Sequence, residues 1–352
     1  MESKIHCEFL DDWDLILSSF PKKYQDIYFT KKYLNLYESH NAKALCLFCR
    51  EGDKILLFPY LRGEVGNYFD FETAYGYGGP VSNTEDVEWN KSAFDCIHCY
   101  LKAHKYLCGF TRFHPLFSNE RFVSESNISN SEDYIQVFYD RPTIAIDTSE
   151  SEDNIWNNQL HSNCRSRIRK AEKNFLEYKT EYDFSSYEEF IELYLSTMRR
   201  VSADLFYFFD KKYFSKLKNN FKGSSFLGTV RKEEKLISAA IFLYSEQYGH
   251  YHLGGSDGNY LNLRANNFLF WKAACEMHKL GIQEFHLGGG TNSSPDNSLF
   301  KFKKTFSKKE KQFFIGKQVF DQKTYMKICQ IWQEKNPTKI SLYGNRLLKY
   351  RY

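Results

Sequence analysis

The sequence predicts an α/β protein with mixed sheets, built as two tandem units of one pattern. Three pairs of matching segments carry that expectation. Arg50-Glu-Gly-Asp-Lys54 recurs as Arg231-Lys-Glu-Glu-Lys235, 181 positions later. Tyr75-Gly-Tyr77-Gly78-Gly79-Pro80 recurs as Tyr251-His-Leu253-Gly254-Gly255-Ser256 at an offset of 176, and Phe113-His114 as Phe285-His286 at 172. The order is kept while the offsets drift, as loop-length changes between two copies would make them.

Each element follows from local pattern. The charged turns at Arg50–Lys54 and Arg231–Lys235 lie between apolar runs and read as β-hairpins. Between the second and third landmarks each half carries a helix. The first runs from about Glu85 to Tyr106, with Val87, Phe94, Ile97 and Leu101 near one face. The second runs from about Arg264 to Leu280, with Phe268, Leu269, Trp271 and Cys275 apolar and Gly281 as its stop. A strand-helix-strand crossover of that length implies parallel neighbours in one sheet. The expected division is residues 1–141, residues 142–325, and a tail, 326–352, that packs back on the body. The junction is placed near Arg141-Pro142.

Composition excludes several classes. With 42% hydrophobic and 26% charged residues, the chain is neither a disordered tail, a fibre nor a small stapled scaffold. A net charge of +4 is too small to announce a nucleic-acid protein. The charge is concentrated, however: His161–Lys173 carries net +4 and Lys301–Lys311 net +5. Leu160, Cys164, Ile168 and Ala171 make the first segment an amphipathic helix whose arginines, Arg167 among them, suit phosphates. Alternating Phe and Lys make the second a strand with Lys301 and Lys303 on one side. The acidic opening segment is no secretory signal, and uncharged apolar runs such as Ser238–Tyr244 are strand-length, so a cytoplasmic protein without a transmembrane segment is expected. Nine scattered cysteines fit reduced thiols. The C-x-x-C pairs Cys46/Cys49 and Cys96/Cys99 are spaced too far apart for a zinc ribbon, and the first lies on a strand where positions three apart face oppositely. Core packing is expected for them, and no metal.

Taken together, several segments resemble the Fem family of aminoacyltransferases, whose chains hold two units of the GNAT acyltransferase fold. They are Ala74-Tyr-Gly-Tyr-Gly-Gly-Pro80, Thr197-Met-Arg-Arg200, Tyr213-Phe214, Leu269-Phe-Trp-Lys-Ala-Ala274, Leu299-Phe-Lys-Phe302-Lys303-Lys-Thr-Phe306 and Phe314-Ile-Gly316. The resemblance spans about residues 30–325. It implies two tandem GNAT-like units and amide formation on an amino group of a cell-envelope precursor, either a peptidoglycan precursor or a surface-polysaccharide amino sugar. It implies aminoacyl-tRNA as acyl donor, no tightly bound cofactor, and as partners a nucleotide- or lipid-linked glycan precursor, the tRNA acceptor end and a membrane surface. One departure bears on the donor. GNAT enzymes that use acyl-CoA hold its pyrophosphate on a glycine-rich turn opening a helix, and here that turn reads Tyr260-Leu-Asn-Leu-Arg264, without glycine. The rival readings are an acyl-CoA-dependent N-acyltransferase of amino sugars, and a non-catalytic double fold that binds glycan or RNA.

Amide formation needs a deprotonated amine and donors facing a tetrahedral oxyanion. Lys303 is the first catalytic candidate: by the resemblance, the Phe302-Lys303 pair sits where lysine faces the reacting carbonyl. His252 and His286 each precede Leu-Gly-Gly, and an imidazole titrating near neutral pH suits a base; a satisfied core histidine is the competing assignment. Asp257 follows the first glycines as an orienting group or a turn cap. Gly254, Gly255 and Gly289 end neighbouring strands where backbone amides can meet substrate, or form tight turns, and Tyr251 and Arg200 stand beside them. By analogy with the family, Tyr75, Tyr77, Arg112 and His114 contact the acceptor's sugar or base.

Overall fold

The computed structural model describes residues 5–123 and 134–352. In chain order they form strands β1 (His6–Leu10), β2 (Lys43–Glu51), β3 (Lys54–Val65), β4 (Tyr68–Glu72) and β5 (Val81–Ser82), helix α1 (Val87–Ala103), then β6 (Tyr106–Arg112) and β7 (Tyr134–Asp147). Next come α2 (Ser162–Lys173), β8 (Glu177–Glu181), α3 (Tyr187–Arg200), α4 (Lys211–Asn220), β9 (Ser225–Lys232), β10 (Lys235–Tyr244) and β11 (Tyr248–Ser256). Helix α5 (Ala265–Lys279), β12 (Glu284–Gly289), α6 (Ser298–Lys304), β13 (Glu310–Val319) and α7 (Gln322–Lys335) complete the chain's main elements.

Two compact units result, Met1–Asp140 with Gln312–Tyr352, and Arg141–Lys311. The division falls at Arg141, but residues 312–325, expected in the second unit, belong to the first. Their strand, β13, pairs antiparallel with β6 from Ile315↔Arg112 to Val319↔Cys108. Such a long-range return leaves no local mark in sequence.

In the first unit the strand order is β1-β2-β3-β4-β6-β13, with β5 on β3. The charged turn becomes the β2–β3 hairpin, closed at Gly52, whose φ is +58°. Helix α1 starts because Asp86 accepts from the Trp89 amide. Its Ala93, Phe94, Ile97 and Leu101 are buried against Leu47, Phe58 and Phe71 of the sheet, each large side chain contributing about 1.5–3 kcal/mol. The tail packs on this unit too. Arg351 pairs with buried Asp70 and with Glu72, and the Tyr350 hydroxyl donates to Asp70 Oδ2 at 2.9 Å.

The second unit orders its strands β7-β12-β11-β10-β9-β8. Helices α2 and α5 share one core, in which Cys164, Ile168 and Ala171 meet Phe268, Leu269 and Phe270 above Phe226, Ala240 and Phe242. On the opposite face α3 approaches so closely that a Cβ on Gly255 would lie 2.9 Å from the Leu193 carbonyl. Gly281, at φ +75°, ends α5 as its sequence implied.

The landmarks do not all occupy equivalent positions. Gly76 and Gly79 lie in a loop after β4, both at positive φ, whereas Gly254 and Gly255 lie inside β11. Phe113-His114 follows β6, whereas Phe285-His286 lies inside β12.

Candidate active site

In the second unit, β11 and β12 pair in parallel only at Tyr248↔Glu284, Gly249↔Phe285 and His250↔His286. Both strands continue, to Ser256 and Gly289, without pairing to each other. Separated strand ends offer backbone amides and carbonyls to a ligand, because each peptide keeps a donor and an acceptor.

Lys303 comes to this gap from a helix rather than from the expected strand. Asn297 caps α6 by accepting from the Phe300 amide, and burial at Phe300 and Lys303 sets a spacing of three. The Phe/Lys alternation misled because Phe302 packs sideways, 5.4 Å from Phe270 and 5.3 Å from Phe306, ring to ring. Lys301 and Lys303 therefore part: Lys301 is exposed and pairs with Asp296 at 2.7 Å, while Lys303 is 5% exposed. The Lys303 ammonium donates to the Gly289 carbonyl at 2.9 Å and lies 5.3 Å from the centre of the Tyr251 ring. Burial lowers its pKa to about 7, since an apolar surround disfavours the charged form.

Glycines make room for this arrangement. A Cβ on Gly254 would meet the Tyr251 hydroxyl at 2.6 Å, and one on Gly289 would meet the Pro142 carbonyl at 2.9 Å. Arg141 holds the next carbonyl, that of Gly290, at 2.9 Å. Tyr251 packs 4.8 Å from Phe270, and burial raises its hydroxyl to about 12.

The structure does not bring His252 to Lys303. Pairing of β10 with β11 slips between Ile241↔Leu253 and Phe242↔Tyr251, leaving His252 as the extra residue of a bulge. Tyr251 faces the α5 core, while His252 meets the Tyr213 hydroxyl of α4 at 2.8 Å. Burial beside His250 lowers the His252 pKa to about 3, so it is neutral where a base near pH 7 must titrate. His286 is likewise buried and bonded, at 2.8 Å, to Thr143. Asp257 accepts from the Asn259 amide and pairs with Lys235 at 2.8 Å, which holds its carboxyl below the ordinary value. It is a turn cap in an ion pair, poorly suited to deprotonate an amine.

Arg200 donates to the Ser256 carbonyl at 3.0 Å, and the Ser256 amide donates to Thr197 Oγ1 at 2.8 Å. These two α3 residues thus fix the end of β11; sequence reading named Arg200 and missed Thr197 as a positioning group, although it opens the Thr-Met-Arg-Arg motif. Tyr213, unassigned to the site from sequence, proves to be the partner of His252. Arg167 sits half-buried on α2.

The first-unit candidates are held within that unit. Tyr77 and His114 meet, 5.7 Å between ring centres, with Tyr28 against both. His114 is fully buried, 3.6 Å from Asp26. The Tyr75 carbonyl accepts from Tyr33, and Arg112 bonds Glu72 and the Thr73 carbonyl. Asp26 and Tyr28 carried no motif and were not picked out from sequence.

At the start of α5, where a CoA-binding turn would lie, Arg264 occupies a left-handed conformation (φ +63°), and no side chain caps the helix.

Residues 160–304 match the family model for the acetyltransferase (GNAT) domain. Residues 160–304, within the second unit, thus carry the GNAT fold, and the chain as a whole is mixed α/β. Its fold is similar to that of FemX, with a TM-score of 0.65 at 14% identity over 91% of this chain and 99% of that one. A conserved protein of unknown function from Bacteroides thetaiotaomicron gives 0.60 at 10% identity over 89% and 100%. The C-terminal domain of a protein described as a lysylphosphatidylglycerol synthetase, from Agrobacterium fabrum, gives 0.51 at 14% over 75% and 84%. A search of the curated proteins finds no match. Among the described residues, no helix is long and apolar enough to cross a membrane.

Proposed function

We propose that this chain is an aminoacyltransferase that forms an amide on an amino group of a cell-envelope precursor, with aminoacyl-tRNA as donor. The observation that carries the proposal is Lys303, a buried ammonium at separated strand ends, anchored to the Gly289 carbonyl with further N–H groups to give. In this reading the acceptor amine attacks the ester carbonyl. The new C–N bond forms, the C–O bond to the tRNA ribose breaks, and the amine proton leaves on that ribose oxygen. The Lys303 charge faces the transient oxyanion, where a donor in a water-poor site is worth far more than in water. Supporting an aminoacyl group over an acetyl group are the fold of FemX and the absence of glycine at Tyr260–Arg264. The acceptor in this reading is a nucleotide- or lipid-linked precursor, approached at the membrane surface.

One observation favours a second reading, an acyl-CoA-dependent N-acyltransferase of amino sugars: the matched family model is that of acetyltransferases. Thermal-shift titration with CoA, acetyl-CoA and UDP-linked precursors separates the two. A ligand at about a hundred times its Kd stabilises by about 2.7 kcal/mol, a shift of several degrees. A shift with a UDP-linked precursor and none with acetyl-CoA supports the aminoacyl reading; a clear shift with acetyl-CoA overturns it.

A further inference from the structure

The two C-x-x-C pairs are not what the fold assembles. It takes one cysteine from each and adds a third. Cys49 lies on β2 directly opposite Cys7 of β1, as Cα partners of an antiparallel pair. Cys96, on α1, comes down onto both. The three sulfur atoms all lie within 4.8 Å of one another. Cys46 stands apart from this group on the same strand, and Cys99, one helical turn beyond Cys96, is exposed and outside it.

Three features set the cluster apart from ordinary core thiols. It gathers sulfur from three elements far apart in sequence. Cys49 is fully buried, but Cys7 and Cys96 are only partly so, which leaves an entry path. Cys49 and Cys96 donate to the Ala93 and Ile5 carbonyls at 3.5 and 3.9 Å; with Cys49 as its neighbour the Cys7 thiol is held below its ordinary value, while those of Cys49 and Cys96 are raised. Within this group no His, Asp or Glu supplies a ligand atom among the described residues. The donor set is therefore purely soft. A metal–sulfur bond of about 2.3 Å in a trigonal plane puts the sulfurs about 4 Å apart, a separation the cluster already approaches. Soft thiolates select Cu(I) or Zn(II). With three thiolates Zn(II) still needs a water as its fourth ligand, whereas Cu(I) accepts three in a plane and is complete with these sulfurs alone.

We propose that Cys7, Cys49 and Cys96 form a trigonal site for a soft monovalent cation, Cu(I), in the first unit. The metal replaces three thiol protons: one Cu(I) and three thiols give one tris-thiolate complex and three protons released to solvent, with no change of oxidation state. Such a complex ties β1 and α1 to the sheet through three bonds that the apo chain lacks. It is independent of the acyl-transfer site, which lies in the second unit.

The test uses the full reduced chain, titrated anaerobically with Cu(I) buffered by a competing bicinchoninate chelator. The expected result is one Cu(I) taken per chain, three fewer titratable thiols, and a raised melting temperature. Cys7→Ser and Cys96→Ser should each lose that uptake by tenfold or more, while Cys99→Ser keeps it. Both Cys7 and Cys96 are partly exposed, so neither serine leaves a deeply buried hydroxyl, and circular dichroism confirms each fold. No uptake against the chelator overturns the proposal. So does uptake that survives Cys96→Ser or disappears in Cys99→Ser, and so does retention of Zn(II) in preference to Cu(I).

Discussion

The two units answer the same topology differently at the end of their parallel strand pair. In the first, β4 and β6 stay joined from Phe69↔Tyr106 to Glu72↔Phe110. The Thr73 amide extends the ladder to the Phe110 carbonyl at 3.0 Å, and a further parallel bridge joins Gly78 to Phe113. Buried Asp70 on that pair is neutralised by Arg351. In the second, the pair stops after His250↔His286, and a lysine is buried beside the parted ends. A zipped pair satisfies its own backbone groups; an open one leaves them for a substrate. In the function proposed above, this contrast is the reason for assigning the chemistry to the second unit.

The sharpest way to break that contrast is Lys303→Ala. Turnover should fall by about 10²–10³, the effect of removing one oxyanion donor, with the fold intact by circular dichroism. Near-unchanged turnover would falsify the role assigned to Lys303. Tyr77→Phe in the first unit should change turnover by less than about tenfold, through binding rather than chemistry; a loss equal to that of Lys303→Ala would reverse the assignment of the units.

Stability offers the reverse contrast. Removing the Arg351 side chain leaves Asp70 buried without its ion pair, a loss of about 3–5 kcal/mol that denaturant unfolding would read. A variant as stable as the parent would mean that the tail does not lock the first unit. In the second unit, Gly255→Ala drives a methyl against the α3 backbone and should cost about 1–3 kcal/mol, whereas Gly52→Ala meets no neighbour and is limited to the strain of its positive φ.

The buried lysine also makes stability depend on pH. Lys303 has a folded pKa of about 7 against 10.5 when free. Between those values the unfolded chain binds more protons, so stability rises with pH across that window and is flat below it. Lys303→Met should flatten the rise. Turnover should move the other way, falling above pH 7 as the ammonium is lost; a rising limb with the same midpoint would make Lys303 a base instead of a charge donor.

Local pattern was enough for much of this. The hairpins at Gly52 and Glu233-Glu234, the Gly281 stop of α5 and the amphipathic α2 were legible because turn residues and the spacing of apolar side chains act within a few positions. Lys303 was legible only through the resemblance of Phe302-Lys303, and its helix was read as a strand because Phe and Lys alternate from Phe300 to Lys303, although Phe300, Phe302 and Phe306 all pack on one core. Other facts depended on residues far apart in the chain. The bulge that turns His252 away from Lys303, the return of β13 to β6, the Asp70–Arg351 pair and the meeting of Cys7, Cys49 and Cys96 all arise from strand register and helix docking. The sequence by itself determined the main hairpins and the long amphipathic helices, though not α6, since dihedral preference and amphipathic period are local. Which side chains share a site was decided by the tertiary structure, because register, bulges and burial are set by contacts that no window along the chain contains.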